Sequence, residues 1–311
     1  MPAPLYLAIA LVAGGALVGI GVPSWVALGA GLVIALATGR QPPPIVKRLT
    51  TYSLQLGVVC LGAGMDLELA LRTGVDGALI TATSLATAVV LGLWLGKVLK
   101  VAGDTPLLVS VGTAICGGSA IAAVASMIKP KDSEMSIALA VVFVLNAIGL
   151  VLFPMIGHAL GLSELTFGRW AALAIHDTSS VVGAGMAYGA TALAIATATK
   201  LARALWIVPM TIGVAVMRRD DVKGRYRDVR WPWFILGFVA AAALATWVPA
   251  VHDHADPVVL VGRRLMLTAL FLIGLGLSRK ALAAVGARPL LLGVILWIVV
   301  ASVSLPLAAL T

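Results

Sequence analysis

The stretch A-I-C-G-G-S-A-I at residues 114–121 is echoed sixty residues later by A-I-H-D-T-S-S-V at 174–181. The two share the pattern A-I-x-x-x-S-x-[I/V], and both interrupt segments that are otherwise hydrocarbon. Glycines, hydroxyls, a histidine and an aspartate at membrane depth are costly unless they line a protected cavity, because lipid offers no water to freed backbone groups. These two breaks mark the working site.

Around them the chain is membrane-grade. Of 311 residues, 61% are hydrophobic and 11% charged, and apolar stretches recur from end to end. A spanning helix needs about 20 mainly apolar residues. That ruler predicts an all-α polytopic membrane protein with about eleven transmembrane helices, near 5–21, 23–39, 48–63, 76–98, 106–128, 134–156, 167–189, 192–217, 231–250, 260–278 and 289–310. Cys60 and Cys116 lie inside apolar segments, which argues against a disulfide framework. The first stretch lacks a basic leader and an A-x-A site, so it reads as a span and not a signal peptide.

The net charge of +9 does not point to nucleic acid, because the basic residues collect in short inter-helix loops. Arg40, Lys47 and Arg48, then Lys97 and Lys100, then Arg218, Arg219, Lys223, Arg225, Arg227 and Arg230, then Arg279, Lys280 and Arg288 follow even-numbered spans. Those loops are expected on the cytoplasmic side, with both termini outside. Lys129 and Lys131 fall on the wrong side of this count. Trp25, Trp94, Trp170, Trp231, Trp233 and Trp247 read as an interfacial belt, and Arg263 and Arg264 as snorkelling residues that open the tenth span.

The breaks have chemistry suited to an anion. Gly112, Gly117 and Gly118 flank Cys116 and Ser119, and each glycine weakens a helix interior by about 1 kcal/mol relative to alanine. A half-helix starting near Ser119 would present free N–H groups and partial positive charge. Asp177, Thr178, Ser179 and Ser180 are N-cap residue types placed to start a second half-helix. Asn146 interrupts the sixth span, either bridging helices or completing the site. Lys200 and Arg203, three apart in the eighth span, share a helical face and must meet a cavity or a carboxylate, for which Asp177 is the nearest candidate. His176 beside Asp177 is a candidate proton carrier. The bland alternatives are serines bonded to their own helix, glycines that only pack, and a structural ion pair.

A second echo pairs L-G-A-G-M at 61–65 and trailing Gly74 with I-G-L-G-L at 273–277 and trailing Gly286. The third and tenth spans cross in opposite senses, as an inverted repeat requires, although G-x-G also serves helix ends and close packing. The polar echo is harder to place, because by the same count the fifth and seventh spans run the same way. Either one of these segments is a re-entrant hairpin or the echo is not the symmetry relation; the glycine pair is the better repeat candidate.

At these motifs the chain resembles the YeiH family of UPF0324-type bacterial inner-membrane proteins, to which sulfate export is ascribed. G-T-A-I-C-G-G-S-A-I-A-A at 112–123, A-V-V-F-V-L-N at 140–146, A-I-H-D-T-S-S-V-V-G-A at 174–184 and K-L-A-R-A-L-W-I-V-P at 200–209 carry the resemblance. It implies a secondary transporter with inverted repeats, distantly similar to cation/proton antiporters and bile-acid symporters. By that analogy the discontinuous helices near 114–121 and 174–181 belong to core-type helices over about 106–217, with panel helices over about 1–100 and 231–311.

The combined expectation is a bacterial inner-membrane exporter of a small anion, sulfate or a related oxyanion or organosulfur anion, working by alternating access. Cys116, Gly117, Gly118, Ser119, Asn146, Thr178, Ser179, Ser180, Lys200 and Arg203 would bind it, and His176 and Asp177 would handle a coupling proton or sodium ion. No cofactor or metal is expected, and a homodimer is admitted. The alternatives are a proton- or sodium-coupled organic-acid transporter and, further off, an intramembrane enzyme with Cys116 as nucleophile.

Overall fold

In the computed structural model the two polar breaks are the tips of helical hairpins. The structure describes residues 12, 14–39, 42–65, 67, 68, 78–217, 233–277 and 285–310. Residues 5–11 of the first expected span, Arg40, Gly74, the basic loop 218–230, Trp231, Arg279 and Lys280 lie outside them. Among the described residues all regular structure is helical: α1 (Ser24–Thr38), α2 (Pro44–Gly62), α3 (Ala78–Val98), α4 (Thr105–Ala114), α5 (Gly118–Ile128), α6 (Asp132–Ala159), α7 (Glu164–Ala174), α8 (Thr178–Tyr188), α9 (Ala190–Ala204), α10 (Ile207–Met217), α11 (Trp233–Trp247), α12 (Pro249–His252), α13 (Ala255–Gly276) and α14 (Ala287–Leu310).

Five helical segments among these are long and apolar enough to cross a bilayer: 81–98, 132–159, 190–214, 255–276 and 287–309. Shorter apolar helices accompany them, which makes the chain a multi-pass membrane protein. The fifth and seventh expected spans, 106–128 and 167–189, do not cross. Each folds back at its break.

The second hairpin shows this most directly. Tyr188, at the end of α8, donates to the Leu162 carbonyl at 2.7 Å and stacks on Phe167 with ring centroids 3.7 Å apart. The Glu164 carboxylate accepts from the Thr191 amide at 2.7 Å. The start of α7 and the end of α8 therefore share one end of the protein. In the first hairpin, Gly112 of α4 packs against Ile121 of α5, and the Glu134 carboxylate, just past the end of α5, lies against Gly103, just before α4. Arms of 10 and 11 residues in the first hairpin and of 11 each in the second are about 15–17 Å long at 1.5 Å per residue, half of a hydrocarbon core of about 30 Å. Arms of this length carry a tip to mid-membrane from a base at the bilayer surface.

The hairpins enter from opposite ends. Helix α6 links those ends, running from Glu134 beside Gly103 to Gly157, which packs against Phe167 and Tyr188. Helices α9 and α10 return, bent at Leu205–Trp206, where Pro209 withholds the amide that would have continued the helix. Lys129 and Lys131 consequently join Lys97 and Lys100 at one basic end. Their misplacement in the span count came from counting a hairpin as a crossing. The sixty-residue echo, ranked behind the glycine pair as a repeat candidate, falls on matching positions of two oppositely directed hairpins.

The G-x-G pair has a packing role. Gly62 and Gly276 are the last residues of α2 and α13. Gly62 lies against the Phe238 backbone, Gly64 against Val259, and Gly274 against the Leu28 carbonyl, where α13 crosses α1 beside Gly31. Helices α1, α2, α11 and α13 pack among themselves, whereas α3 and α14 pack on α4. Two expectations need correction. Trp170 is buried, donates to the Ala301 carbonyl at 2.9 Å and is no interfacial residue. Arg263 and Arg264 lie two turns into α13, with Arg264 bonded to the Val18 carbonyl.

Candidate functional site

Tip 1 turns because of Gly117. Its φ of 66° and ψ of −126° suit glycine, and its amide donates to the Gly112 carbonyl at 2.9 Å, closing the end of α4. Tip 2 turns without glycine. Ile175 and Asp177 are extended, and Asp177 caps α8, accepting from the Ser179 amide at 2.9 Å and from the Ser179 hydroxyl.

The two tips touch. A Cβ built on Gly117 would lie 3.3 Å from Asp177 Cβ. From α6, Asn146 Oδ1 accepts the Asp177 amide at 3.0 Å, and Val142, one turn earlier, packs against Gly117. From α9, Arg203 spans both hairpins: Nε donates to the Ala114 carbonyl at 2.5 Å and Nη1 to the Leu173 carbonyl at 2.7 Å. Lys200 Nζ donates to the carbonyls of Ile175 at 2.8 Å and Ala172 at 3.3 Å. Both side chains are 0% exposed.

All twelve residues singled out by sequence therefore gather at one mid-membrane crossing, around the contact between Gly117 and Asp177. Cys116, Asn146, His176, Asp177, Thr178, Ser179 and Ser180 are buried, Gly118 is half-buried, and Ser119 is exposed. The expected pairing of Asp177 with a cation takes a different form. Its carboxylate serves the amide and hydroxyl of Ser179, while Lys200 and Arg203 serve carbonyls in the last turns of α4 and α7, where the helix dipoles present partial negative charge.

Several buried polar atoms here have no hydrogen-bond partner among the described residues: Asn146 Nδ2, both ring nitrogens of His176, Thr113 Oγ1 and Thr199 Oγ1. An unmet buried donor costs about 1–3 kcal/mol, so such a cluster suits a ligand that supplies partners. No group of three or more His, Cys, Asp or Glu side chains placed to hold a metal occurs among the described residues. Sequence reasoning missed Thr113, Thr199, Ser84, which accepts from Arg203 Nη2 at 3.5 Å, and Trp297, which donates to the Ala174 carbonyl at 3.0 Å with its ring 6.2 Å from that of His176. Single polar residues in apolar helices form no motif; only the three-dimensional crossing selects them.

The sequence has relatives among known proteins. A family model described as Conserved hypothetical protein 698 matches residues 20–293. A UPF0324 membrane protein of Bdellovibrio bacteriovorus is 49% identical over 286 residues, covering 91% of this chain and 88% of the relative. One from Bacteroides thetaiotaomicron is 45% identical, covering 88% of this chain and 83% of the relative. One from Geobacter sulfurreducens is also 45% identical, covering 90% of each chain. No solved structure matches.

Proposed function

The chain belongs to the UPF0324 membrane protein family, and from that premise we propose that it is a secondary transporter of a small anion, sulfate or a related oxyanion or organosulfur anion. The observation that carries this reading is the meeting of two opposed hairpins, with echoing tip sequences, around buried Lys200 and Arg203 and a cluster of unmet polar atoms. Half-helix ends meeting at mid-membrane between oppositely directed units are the pattern of inverted-repeat transporters. We take each hairpin with its following span, α4 to α6 and α7 to α10, as the repeat.

The site is sealed except near Ser119, so passage requires motion. We place the moving core in α3 to α10 with α14, and the scaffold in α1, α2, α11 and α13; the packing of α3 and α14 on the hairpins takes these two out of the panel of about 1–100 and 231–311 that the resemblance implies. The end bearing Lys97, Lys100, Lys129 and Lys131 faces the cytoplasm of a bacterial inner membrane by the positive-inside rule, and export follows from the family resemblance. Two scaffolds could pair in a homodimer.

The test is flux. Purified protein in liposomes should move labelled sulfate or another small oxyanion down an imposed anion or proton gradient, and folded protein that moves none contradicts the reading. A second reading, proton- or sodium-coupled transport of an organic acid, draws on the two unpartnered nitrogens of His176 beside Asp177. Flux that depends on sodium or on a pH gradient would favour it. We read the chain as a carrier and not an enzyme, with Cys116 a packing residue of tip 1.

A further inference from the structure

Four helix ends meet at the crossing, and three of them are served by the chain's own charges. The last turn of α4 gives its Ala114 carbonyl to Arg203; that of α7 gives carbonyls to both Arg203 and Lys200. The N-terminus of α8 is filled by Asp177, whose carboxylate takes the Ser179 amide at 2.9 Å. The N-terminus of α5 has nothing equivalent. At the position that the echo matches to Asp177 stands Gly117, which has no side chain, and α5 has no side-chain cap. Of the first amides of this 11-residue helix, that of Ala120 meets only the neutral Cys116 thiol, so about half a unit of positive charge is left without a counter-charge.

A second observation points to the same place. Asn146 is 3% exposed, and its Oδ1 is engaged by the Asp177 amide, yet its Nδ2 has no partner among the described residues. It lies one turn beyond Val142 and Phe143, which pack against Gly117 and Gly118 at the start of α5. An unmet amide donor thus stands beside a helix N-terminus that no charged group answers. Ser119 in the first turn of α5 is exposed, so this end alone of the four has a side chain open to the outside.

Charge sets the class of ligand. Arg203 contributes one positive charge to the buried cluster, and Lys200 and Asp177 together contribute none, whether the proton they contend for sits on the amine or on the carboxyl, which gives a net of +1. A single negative charge neutralises it, whereas a dianion leaves an excess charge beside side chains buried from solvent, which is disfavoured. We infer that the N-terminus of α5 with the Asn146 amide is the anion subsite and that it takes a monovalent oxyanion of the sulfonate type in preference to a sulfate dianion. Asp177 is its tethered counterpart at α8, and Lys200 and Arg203 are positioning residues that hold the hairpin ends. This inference rests on the transport reading above and specifies its substrate.

The experiment compares two anions of similar size and unlike charge, methanesulfonate and sulfate, by titration calorimetry and thermal shift on the purified full chain at matched ionic strength. Methanesulfonate should bind with a Kd at least about tenfold below that of sulfate, and Asn146→Ala should raise the methanesulfonate Kd about tenfold or more. The wild-type comparison stands without the variant should Asn146→Ala fail to fold. Sulfate binding as tightly as methanesulfonate, or a folded Asn146→Ala that binds methanesulfonate unchanged, overturns the inference and leaves the transport reading standing. Binding or flux of no oxyanion at all overturns both.

Discussion

Gly117 and Asp177 occupy matching positions of two hairpins that enter the protein from opposite ends, and they touch: a Cβ on Gly117 would stand 3.3 Å from that of Asp177. Tip 1 needs a residue tolerant of φ 66° at this contact, and tip 2 needs a cap for α8. Gly117→Ala should therefore destabilise the protein by about 1–3 kcal/mol through backbone strain and crowding against Asp177 and Val142. Thermal unfolding in detergent measures it; an unchanged midpoint would mean that the tips do not meet as described.

Arg203 staples the hairpins through two carbonyls on different chain segments. Arg203→Met should leave both unpaired and cost about 2–5 kcal/mol. Arg203→Lys keeps the charge and loses the fork, so its loss should be intermediate. Equal stability of the methionine variant and the wild type in a denaturation series would show that the staple contributes nothing.

At the opposite end from the lysines, Glu164 caps α9 through the amides of Thr191 at 2.7 Å and Ala192 at 3.2 Å. Glu164→Ala should cost about 0.5–2 kcal/mol, the range for a lost cap. Glutamine keeps a carbonyl acceptor and should recover part of it. The readout is again the unfolding midpoint.

Cys116 is 2% exposed and packs within the apolar core around tip 1. Cys116→Ala should leave oxyanion flux within about twofold, since the buried sulfur contributes packing and one weak contact to the Ala120 amide. Abolished flux with intact folding would reinstate a chemical role for the thiol.

Much of the site was legible in the sequence because its physical signature is local. The glycines at 112, 117 and 118, the capping run 177–180 and the cations at 200 and 203 each violate membrane composition at a definable place. The fold-back was not legible, because hydropathy counts apolar residues and not their direction. Two arms of ten or eleven residues and one span of twenty-two look alike. Lys129 and Lys131 carried the missing information: their apparent misplacement is what a hairpin mistaken for a crossing produces. Trp297, Ser84, Thr113 and Thr199 were silent, since each is an ordinary residue until the tips are brought together.

Sidedness of the hairpin bases tests the central claim most directly. In a background with Cys60→Ala and Cys116→Ala, single cysteines at Lys97 and Ser133 flank the first hairpin, and at Ala159 and Ala190 the second; all four positions are exposed. Labelling with a membrane-impermeant maleimide should place Lys97→Cys and Ser133→Cys on one face, and Ala159→Cys and Ala190→Cys together on the other. Opposite labelling within either pair would mean that the segment crosses the membrane, and would contradict the opposed-hairpin architecture on which the site is built.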